Sequence, residues 1–384
     1  MKIAHLCLSC FYIDGYSYQE NELVRQHVMD GHDVVVIAST EVFDENRQLN
    51  YRAPGEYMGT DGARVIRLPY RRGLPHGVMK KLRMHPGVED LLMREAPDVI
   101  LFHGLCGWEL LAVKRYKARR PAVRVFVDSH EDFNNSARSF VSKHLLHASY
   151  YRPILHRALS SIEKVLCIST ETMDFVRDFY KVPPERMEFY PLGGQILSDD
   201  DYVQLRATGR RRHGVANDQI LFVQSGKMDH SKKLVEALHA FSKTVDDQFR
   251  FIVAGHIHED IASEVDQLMR NDPRIQFIGW QSSEQLRELL CSADVYVQPG
   301  TQSATMQMSL CCRCAVVLDD VPSHQPYIDQ NGWLIGPKVT LENVFSEISR
   351  HPEALPTRSA RSAALAARLL DYRLLAARIL RAPT

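Results

Sequence analysis

The stretch ILFVQSGKMDHSKKL, residues 220–234, sets the fold of the second half of the chain. It begins with an apolar run of strand length, and a glycine and several lysines precede the next amphipathic segment. Near-continuous apolar strands joined by helices are typical of a parallel sheet covered on both faces. Residues 195–358 are therefore predicted to form a doubly wound, Rossmann-like α/β domain. Its strand candidates are 220–224, 250–253, 275–278, 295–298 and 315–318.

An earlier series of apolar runs alternates with helical stretches in the same way. The breaker cluster YPLGG at 190–194 divides the two series. We predict an N-terminal Rossmann-like domain over 1–194, with the Ala/Leu/Arg-rich end, 359–384, packing back on it as a helix. Doubly wound sheets bind ligands at the carboxyl ends of their strands, so a cleft between the two domains is the expected site. The N-terminal strand candidates are 3–8, 33–37, 64–68, 99–102, 123–127 and 165–168.

The composition of the chain limits the classes of function that it can have. The chain has 384 residues, and its formal net charge of +0 gives no global attraction to nucleic acid. The sequence shows neither a signal-peptide pattern nor an apolar run of membrane-spanning length, so we expect a cytoplasmic protein. The eight cysteines include a CxxC at Cys7 and Cys10. Zinc binding is one interpretation of them, but their positions on or beside strands favour buried small hydrophobic residues.

The lysine-rich loop after the first strand of the second domain is a candidate anion site. Gly226 is expected to make a tight turn at the end of the strand, and Lys227 and Lys232 are five residues apart on the loop. Lysine side chains act as mobile point charges for phosphate. A solvated surface turn is the alternative interpretation.

A second candidate loop, QPGTQSATMQ at 298–307, precedes a helix in the same domain. Ser303 or Thr305 is expected to cap this helix, and its first amide groups suit a diphosphate. A plain capped helix is the alternative. The predicted donor-binding residues are Gly15, Gly226, Lys227, Lys232, Gly279, Thr301, Gln302, Ser303, Ala304, Thr305 and Gln307.

Two polar segments follow strand candidates of the N-terminal domain. DGYSYQEN at 14–21 follows the first strand, and DSHEDFNN at 128–135 follows the fifth. His130, beside carboxylates and amides, is a candidate for orienting sugar hydroxyls or moving a proton, although a lone histidine is often structural. We predict that His130, Lys227 and Lys232 are catalytic. The predicted acceptor-binding residues are Tyr18, Gln19, Asn21, His103, His130 and Asn134.

The order of these motifs resembles the retaining family 4 glycosyltransferases of the GT-B fold. Gly226, Lys227 and Lys232 match the Gly, Arg and Lys positions of that family's donor loop, and segment 11–21 resembles a polysaccharide-assembly branch. The resemblance implies two facing Rossmann-like domains and metal-independent transfer of a sugar, with retention, from a nucleoside-diphosphate sugar. A UDP-sugar is the favoured donor. The implied acceptor is a glycan or lipid-linked molecule of surface polysaccharide or glycoconjugate biosynthesis, and no cofactor or metal is expected.

The chain departs from the family where two glutamates are usual. Gln307 stands at the second of these positions, and Thr301, Gln302 and Ser303 occupy the region of the first. An amide accepts hydrogen bonds with only one oxygen. This departure keeps two alternatives open: a non-catalytic nucleotide-sugar-binding partner of another transferase, or a GT-B epimerase.

Basic runs of the N-terminal domain suggest where an acceptor approaches. Positive charge is concentrated at 70–72, 80–83 and 114–120, with Leu74, Val78 and Leu82 among them. One interpretation is a peripheral contact with anionic lipid at the inner face of the membrane. Solvated helix faces are the other.

Overall fold

The computed structural model describes residues 1–44, 48–133 and 135–381. The chain divides into two compact units, Met1–Pro191 together with the segment from Tyr372 onward, and Leu192–Asp371. Each unit is built around its own parallel sheet, as the alternation of apolar runs and helical stretches predicts.

The first unit contains an eight-stranded sheet in the order β10-β9-β8-β7-β1-β2-β6-β5. All of its pairs are parallel except β5 with β6. Short strands β3 and β4 form a separate antiparallel pair. The strands are β1 Lys2–Cys7, β2 Asp33–Ser39, β3 Glu41–Phe43, β4 Leu49–Tyr51, β5 Gly55–Met58, β6 Arg64–Leu68, β7 Val99–His103, β8 Arg124–Ser129, β9 Lys164–Cys167 and β10 Met187–Phe189.

Helices cover this sheet, and one of them is unusual. The segment Val141–Tyr151 is a π-helix of 11 residues that runs directly into the following α-helix. Most π-helices are single-turn bulges, so this length is exceptional. The α-helices are α1 Gln19–Met29, α2 His76–Leu82, α3 Val88–Glu95, α4 Leu110–Arg119, α5 Arg152–Ala158 and α6 Thr170–Asp178.

The second unit contains a six-stranded parallel sheet in the order β13-β12-β11-β14-β15-β16. Its strands are β11 Ile220–Met228, β12 Phe249–Ile257, β13 Ile275–Phe277, β14 Val295–Gln298, β15 Ala315–Asp319 and β16 Gly332–Ile335. Its helices are α7 Asp199–Arg212, α8 Leu234–Lys243, α9 Glu259–Asn271, α10 Ser283–Ser292, α11 Ala304–Cys311, α12 Leu341–Arg350 and α13 Leu355–Leu369.

The C-terminal segment is divided differently from the prediction of one returning helix over 359–384. Helix α13 belongs to the second unit, where the buried hydroxyl of Ser362 donates to the carbonyl of Cys314 at 2.6 Å. Only α14, Tyr372–Arg378, packs on the first unit. There the hydroxyl of Tyr190 donates to the carbonyl of Leu375 at 2.7 Å.

Strand register brings particular polar residues to the carboxyl ends of both sheets. His103 at the end of β7 is the register partner of Asp128 in β8. In the second unit, Gly226 of β11 is the partner of Gly255 in β12. Across the described residues, no helix combines the length and apolar character needed to span a membrane.

Candidate active site

The lysine loop of the second unit is held tightly against the loop before α11. The ammonium of Lys232 donates to the carbonyls of Thr301 and Gln302 at 2.8 and 3.1 Å, and the amide of Thr301 donates to the carbonyl of Ser231 at 3.1 Å. A Cβ atom at Gly300 would collide with the carbonyl oxygen of Ser231, so this approach requires glycine. The two candidate anion loops are therefore parts of one local structure.

Lys232 carries a charge that no described carboxylate pairs with. Burial lowers the pKa of its ammonium, with Asp229 acting in the opposite direction. The next residue, Lys233, differs because its ammonium lies 2.6 Å from the carboxylate of Asp319. Lys227 is exposed and also forms no ion pair with a described residue. A partly buried cation bonded only to carbonyls is suited to an anion supplied by a ligand.

The expected tight turn at Gly226 is wrong. Strand β11 continues to Met228, so Gly226 and Lys227 lie within the strand. The reason is the pairing with β12, since a Cβ atom at Gly255 would collide with the Gly226 carbonyl oxygen and only glycine permits this approach. Gly279 lies beyond β13, and its carbonyl accepts from the Gly255 amide at 2.8 Å.

The loop before α11 ends in a capped helix start. Ser303 is the N-cap, and its hydroxyl oxygen accepts from the amide of Met306 at 3.4 Å. The same hydroxyl donates to the side-chain oxygen of Gln298 at 3.0 Å. Ala304 and Thr305 form the first turn, where backbone amides have no acceptor within the helix. The N-terminus of α11 therefore presents amide donors beside the Lys232 loop, and capping and anion binding are compatible here.

Gln307, which stands at the position of the family's ribose-binding glutamate, is not exposed at the surface. It is buried, and its amide nitrogen donates to the hydroxyl of Tyr327 at 2.6 Å. Its amide oxygen is buried without a hydrogen-bond partner. Tyr327 thus fixes the amide so that its oxygen alone remains to accept a hydrogen bond. The amide nitrogen of Gln302 is likewise buried without a partner.

In the first unit, the loop after β1 leads into α1. Gly15 on this loop adopts φ +78°, and Tyr18 precedes the helix with its side chain exposed. Gln19 is 4% exposed, and both polar atoms of its amide are buried without a hydrogen-bond partner. Unsatisfied buried amides are costly, so Gln19, the first residue of α1, is well suited to bind a ligand hydroxyl.

Asn21, predicted to contact an acceptor, also bonds to protein groups, while its Oδ1 is buried without a hydrogen-bond partner. It is fully buried, and its amide nitrogen donates to the carbonyl of Ile13 at 3.1 Å and to Asp61 at 2.6 Å. Asp61 also accepts from the Tyr12 hydroxyl at 2.8 Å and from Arg25 at 2.6 Å. Asn21 therefore ties α1 to the preceding loop.

His103 is unavailable to an acceptor, contrary to the prediction. It is 1% exposed, and both ring nitrogens have protein partners: Nδ1 contacts Asp128 and Nε2 lies 3.0 Å from Nδ1 of His5. Burial opposes the charge of His103, but the Asp128 carboxylate outweighs it and raises the pKa to about 10. The pKa of Asp128 falls well below its usual range because, against the effect of burial, His103 stabilises its charge.

His130, on the loop after β8, is partly exposed, but its Nε2 is buried without a hydrogen-bond partner. Its side chain is 36% exposed, and its Nε2 lies 3.8 Å from Oδ1 of Asp128. Burial lowers the pKa of His130, but Asp128 raises it more strongly, to about 9. A pKa raised in this way suits the imidazole to donating a hydrogen bond at neutral pH rather than to acting as a general base. Asn134, predicted beside it, lies outside the described residues.

The basic runs of the first unit are largely engaged by protein groups. The Lys80 ammonium lies 2.7 Å from Glu41, and the Arg83 guanidinium donates to the carbonyl of Cys106 at 3.0 Å. On α4, Arg115 and Arg119 both pair with Glu89. The solvated-face interpretation therefore fits α4 best. Seven of the eight cysteines are buried, as the preference for small hydrophobic residues predicts.

Two family models match the chain, one in each half. Residues 15–193 match a glycosyl transferase 4-like domain, and residues 218–350 match the glycosyl transferases group 1 model. The chain belongs to the family 4 glycosyltransferases of the GT-B fold. This confirms the predicted family and fold class, and the transferase's Lys232 loop and α11 lie within the second match.

Curated and solved proteins similar to this transferase are distant in sequence. The phosphatidylinositol N-acetylglucosaminyltransferase GPI3 subunit of Saccharomyces cerevisiae is 22% identical over 310 residues, which are 79% of this chain and 64% of that protein. The chain thus spans less than two thirds of that relative. Anabaena HepE in complex with UDP superposes with a TM-score of 0.65 at 14% identity, covering 99% and 98% of the two chains. WaaG, a glycosyltransferase involved in lipopolysaccharide biosynthesis, gives 0.63 at 15% identity, covering 99% and 100%.

Several residues important to the transferase's site were not found from sequence. Gly255 and Gly300 permit close approach of neighbouring segments, and Tyr327 holds Gln307. His5 contacts His103, and His27 contacts His5. The only signal in the sequence is that His5 lies within β1, which pairs with β7, the strand that ends at His103.

Proposed function

We propose that this transferase moves a sugar from a nucleoside-diphosphate sugar, with a UDP-sugar favoured, to a glycan or lipid-linked acceptor. The observation that carries this proposal is the Lys232 ammonium, which bonds to the carbonyls of Thr301 and Gln302 but pairs with no described carboxylate. A diphosphate would supply the missing negative charge. The UDP complex of the similar HepE supports a uridine donor.

Departure of the nucleoside diphosphate is the step that these residues would assist. Negative charge grows on the diphosphate as its bond to the sugar breaks, and Lys232 with the first-turn amides of α11 would stabilise it. Lys227, exposed and without an ion pair to any described residue, would add a second positive charge. Two lysines and a helix N-terminus supply the neutralisation that a divalent ion otherwise provides, so we propose metal-independent transfer.

Sugar hydroxyls would be held by the first unit. His130, as an imidazolium, donates hydrogen bonds, and Gln19 offers a buried amide with both polar atoms free. Because a protonated His130 cannot accept the acceptor's proton, we propose that the leaving phosphate takes it. This assignment agrees with transfer with retention, the stereochemistry that the family resemblance implies.

A lipid-linked acceptor is favoured by the surface around α2 and the π-helix. The hydroxyl of Tyr150 on the π-helix donates to the carbonyl of Leu82 at 3.1 Å, which joins the two elements. Arg71, Arg72 and Lys81 are exposed nearby in sequence. Apolar side chains with basic neighbours suit an anionic membrane surface at the inner leaflet. The exposed apolar residues are Leu74, Val78, Phe140, Val141 and Leu145.

The experiment is a screen of UDP-, GDP-, ADP-, CMP- and TDP-linked sugars for turnover in the presence of EDTA. We expect slow hydrolysis of one UDP-sugar without acceptor, with proton NMR showing that the released sugar first appears with the donor's anomeric configuration. Binding without any turnover would favour the non-catalytic partner suggested by Gln307. Release of an epimerised sugar would favour an epimerase.

A further inference from the structure

A continuous chain of buried hydrogen-bond contacts runs from α14 to the end of β8. Nε2 of His27 lies 3.2 Å from the carbonyl oxygen of Ala376, and its Nδ1 lies 2.9 Å from Nε2 of His5. Nδ1 of His5 lies 3.0 Å from Nε2 of His103, whose Nδ1 contacts Oδ2 of Asp128. The three histidines and the aspartate are each at most 1% exposed. No ring nitrogen of the three histidines is left for solvent.

Counting the hydrogen atoms needed for these contacts determines the total charge of the three histidines. The chain contains four contacts, and each needs one hydrogen between its two heavy atoms. The carbonyl at one end and the carboxylate at the other only accept, so both terminal nitrogens must donate. Three neutral imidazoles carry three N–H groups, which is one fewer than required. All four hydrogen bonds form only if one of the three histidines is an imidazolium.

The extra proton belongs on His103. It contacts the Asp128 carboxylate directly, whereas His27 ends at a neutral carbonyl. His5 and His27 are then neutral, each with its proton on Nε2. The other ionisable groups facing His103 are Cys7 of β1 and Glu20 of α1. Burial holds the pKa of His5 well below its ordinary value and lowers that of His27 to about 4, in agreement with this assignment.

We propose that His103, held as an imidazolium by the chain His27–His5–His103, is a positioning residue that fixes Asp128 beneath His130. It rests on the proposed function, in which His130 contacts the substrate. His103 binds Oδ2 of Asp128 while the amide of Gly104 donates to Oδ1 at 2.8 Å. The carboxylate is thereby held with Oδ1 facing His130 at 3.8 Å.

Sharing Asp128 between two cations has a consequence for His130. Because His103 already balances the aspartate, His130 is attracted to it without a hydrogen bond, and its Nε2, buried and without a partner, is left to bind a sugar hydroxyl. Glu20 and Glu131 are the remaining carboxylates acting on His130. Glu131 is itself held by the hydroxyl of Ser129 at 2.6 Å.

The first test is nitrogen-15 NMR of the imidazoles in the unliganded, full-length protein. At pH 7.5 we expect His103 to show two protonated nitrogens, and His5 and His27 to be neutral with the proton on Nε2. A neutral His103 at this pH would overturn the proposal. The measurement uses no nucleotide sugar, so it is independent of whether the proposed transferase activity is found.

The second test interrupts the hydrogen bonds between His27 and His103 with the substitution His5→Leu. The matched control is His239→Asn, at an exposed histidine. Without His5, Nε2–H of His103 loses its acceptor and the extra proton should leave. Loss of a like charge should raise the pKa of His130, by roughly one unit or more. The control should leave His130 unchanged.

In a transfer assay with UDP-glucose and UDP-N-acetylglucosamine, His5→Leu should lower kcat at least about tenfold while the donor KM stays unchanged. An unaltered His130 titration in a folded His5→Leu variant would overturn the positioning role. If wild-type protein turns over no UDP-sugar but the NMR result is as expected, the proposed function is wrong, whereas the assignment of His103 as an imidazolium is confirmed.

Discussion

The two candidate sites of this transferase treat charge in opposite ways. In the first unit, Asp128 is buried between His103 and His130, and its charge is balanced within the protein. In the second unit, Lys232 is partly buried and bonded only to carbonyls. A balanced site maintains its geometry without ligand, whereas an unbalanced one gains when an anion arrives. The difference suggests that the first unit positions groups and the second binds the donor's charge.

Asp128→Asn should have the largest effect, and it acts on stability. Removing one partner of a buried ion pair leaves the other charge uncompensated, which costs about 3–5 kcal/mol. Urea unfolding should show a lower free energy of unfolding by this order. Asp178→Asn, at an exposed ion pair with Arg177, is the control and should leave the unfolding midpoint nearly unchanged. A similar midpoint for both variants would mean that Asp128 is not balanced as described.

Lys232→Met should affect turnover rather than stability. It keeps the apolar stem but removes the positive charge beside the leaving diphosphate, and lost stabilisation of this kind costs about 3 kcal/mol. The expected result is a fall in kcat/KM of about 100-fold, with the thermal midpoint maintained or slightly raised. Lys243→Met, at an exposed pair with Glu342, serves as the control. Full activity of Lys232→Met would remove the basis of the donor site.

The sequence predicted more of the second site than of the first. Lysines near the end of an apolar run indicated the anion loop, although Gly226 and Lys227 lie within β11 and only Lys232 of the predicted residues lies on the loop. The buried role of His103 depends on strand register, which aligns β1, β7 and β8 across large separations in sequence. No local pattern shows that His5, His27 and His103 meet. The same limitation applies to the contact between Asn21 and Asp61, which are 40 residues apart in the sequence.

Gly300→Ala should have an intermediate effect. The added methyl group overlaps the carbonyl of Ser231, so the loop must move and carry the Thr301 carbonyl away from Lys232. We expect UDP affinity to fall about tenfold, or roughly 1.4 kcal/mol, by calorimetry. Gly336→Ala is the control because its methyl group meets only ordinary contact with Asp320. Equal affinities in the two variants would show that the approach of the loops does not matter for binding.

Stability should also depend on pH, with a maximum near pH 6.5. Burial lowers the pKa values of His27 and His85 to about 4, so the unfolded chain binds more protons below pH 6.5 and stability falls on acidification. Burial raises the pKa of Glu109 to about 7, so this single carboxyl group acts in the opposite direction and stabilises the folded state on acidification. Above pH 6.5, His103 and His130 hold protons that the unfolded chain releases, so stability falls again.

Urea unfolding at half-unit steps from pH 4.5 to 9.5 checks whether the free energy of unfolding has this maximum. A free energy of unfolding that rises steadily up to pH 9 would contradict the assignment of His103 and His130 as cations.

The most direct measurement is calorimetric binding of UDP and UMP, in EDTA, to wild-type protein and Lys232→Met. If Lys232 binds the diphosphate, the wild type should bind UDP much more tightly than UMP. This preference for UDP should be smaller by about tenfold or more in the variant. An equal preference for UDP in both proteins would contradict the account, because the β-phosphate would then be recognised without Lys232.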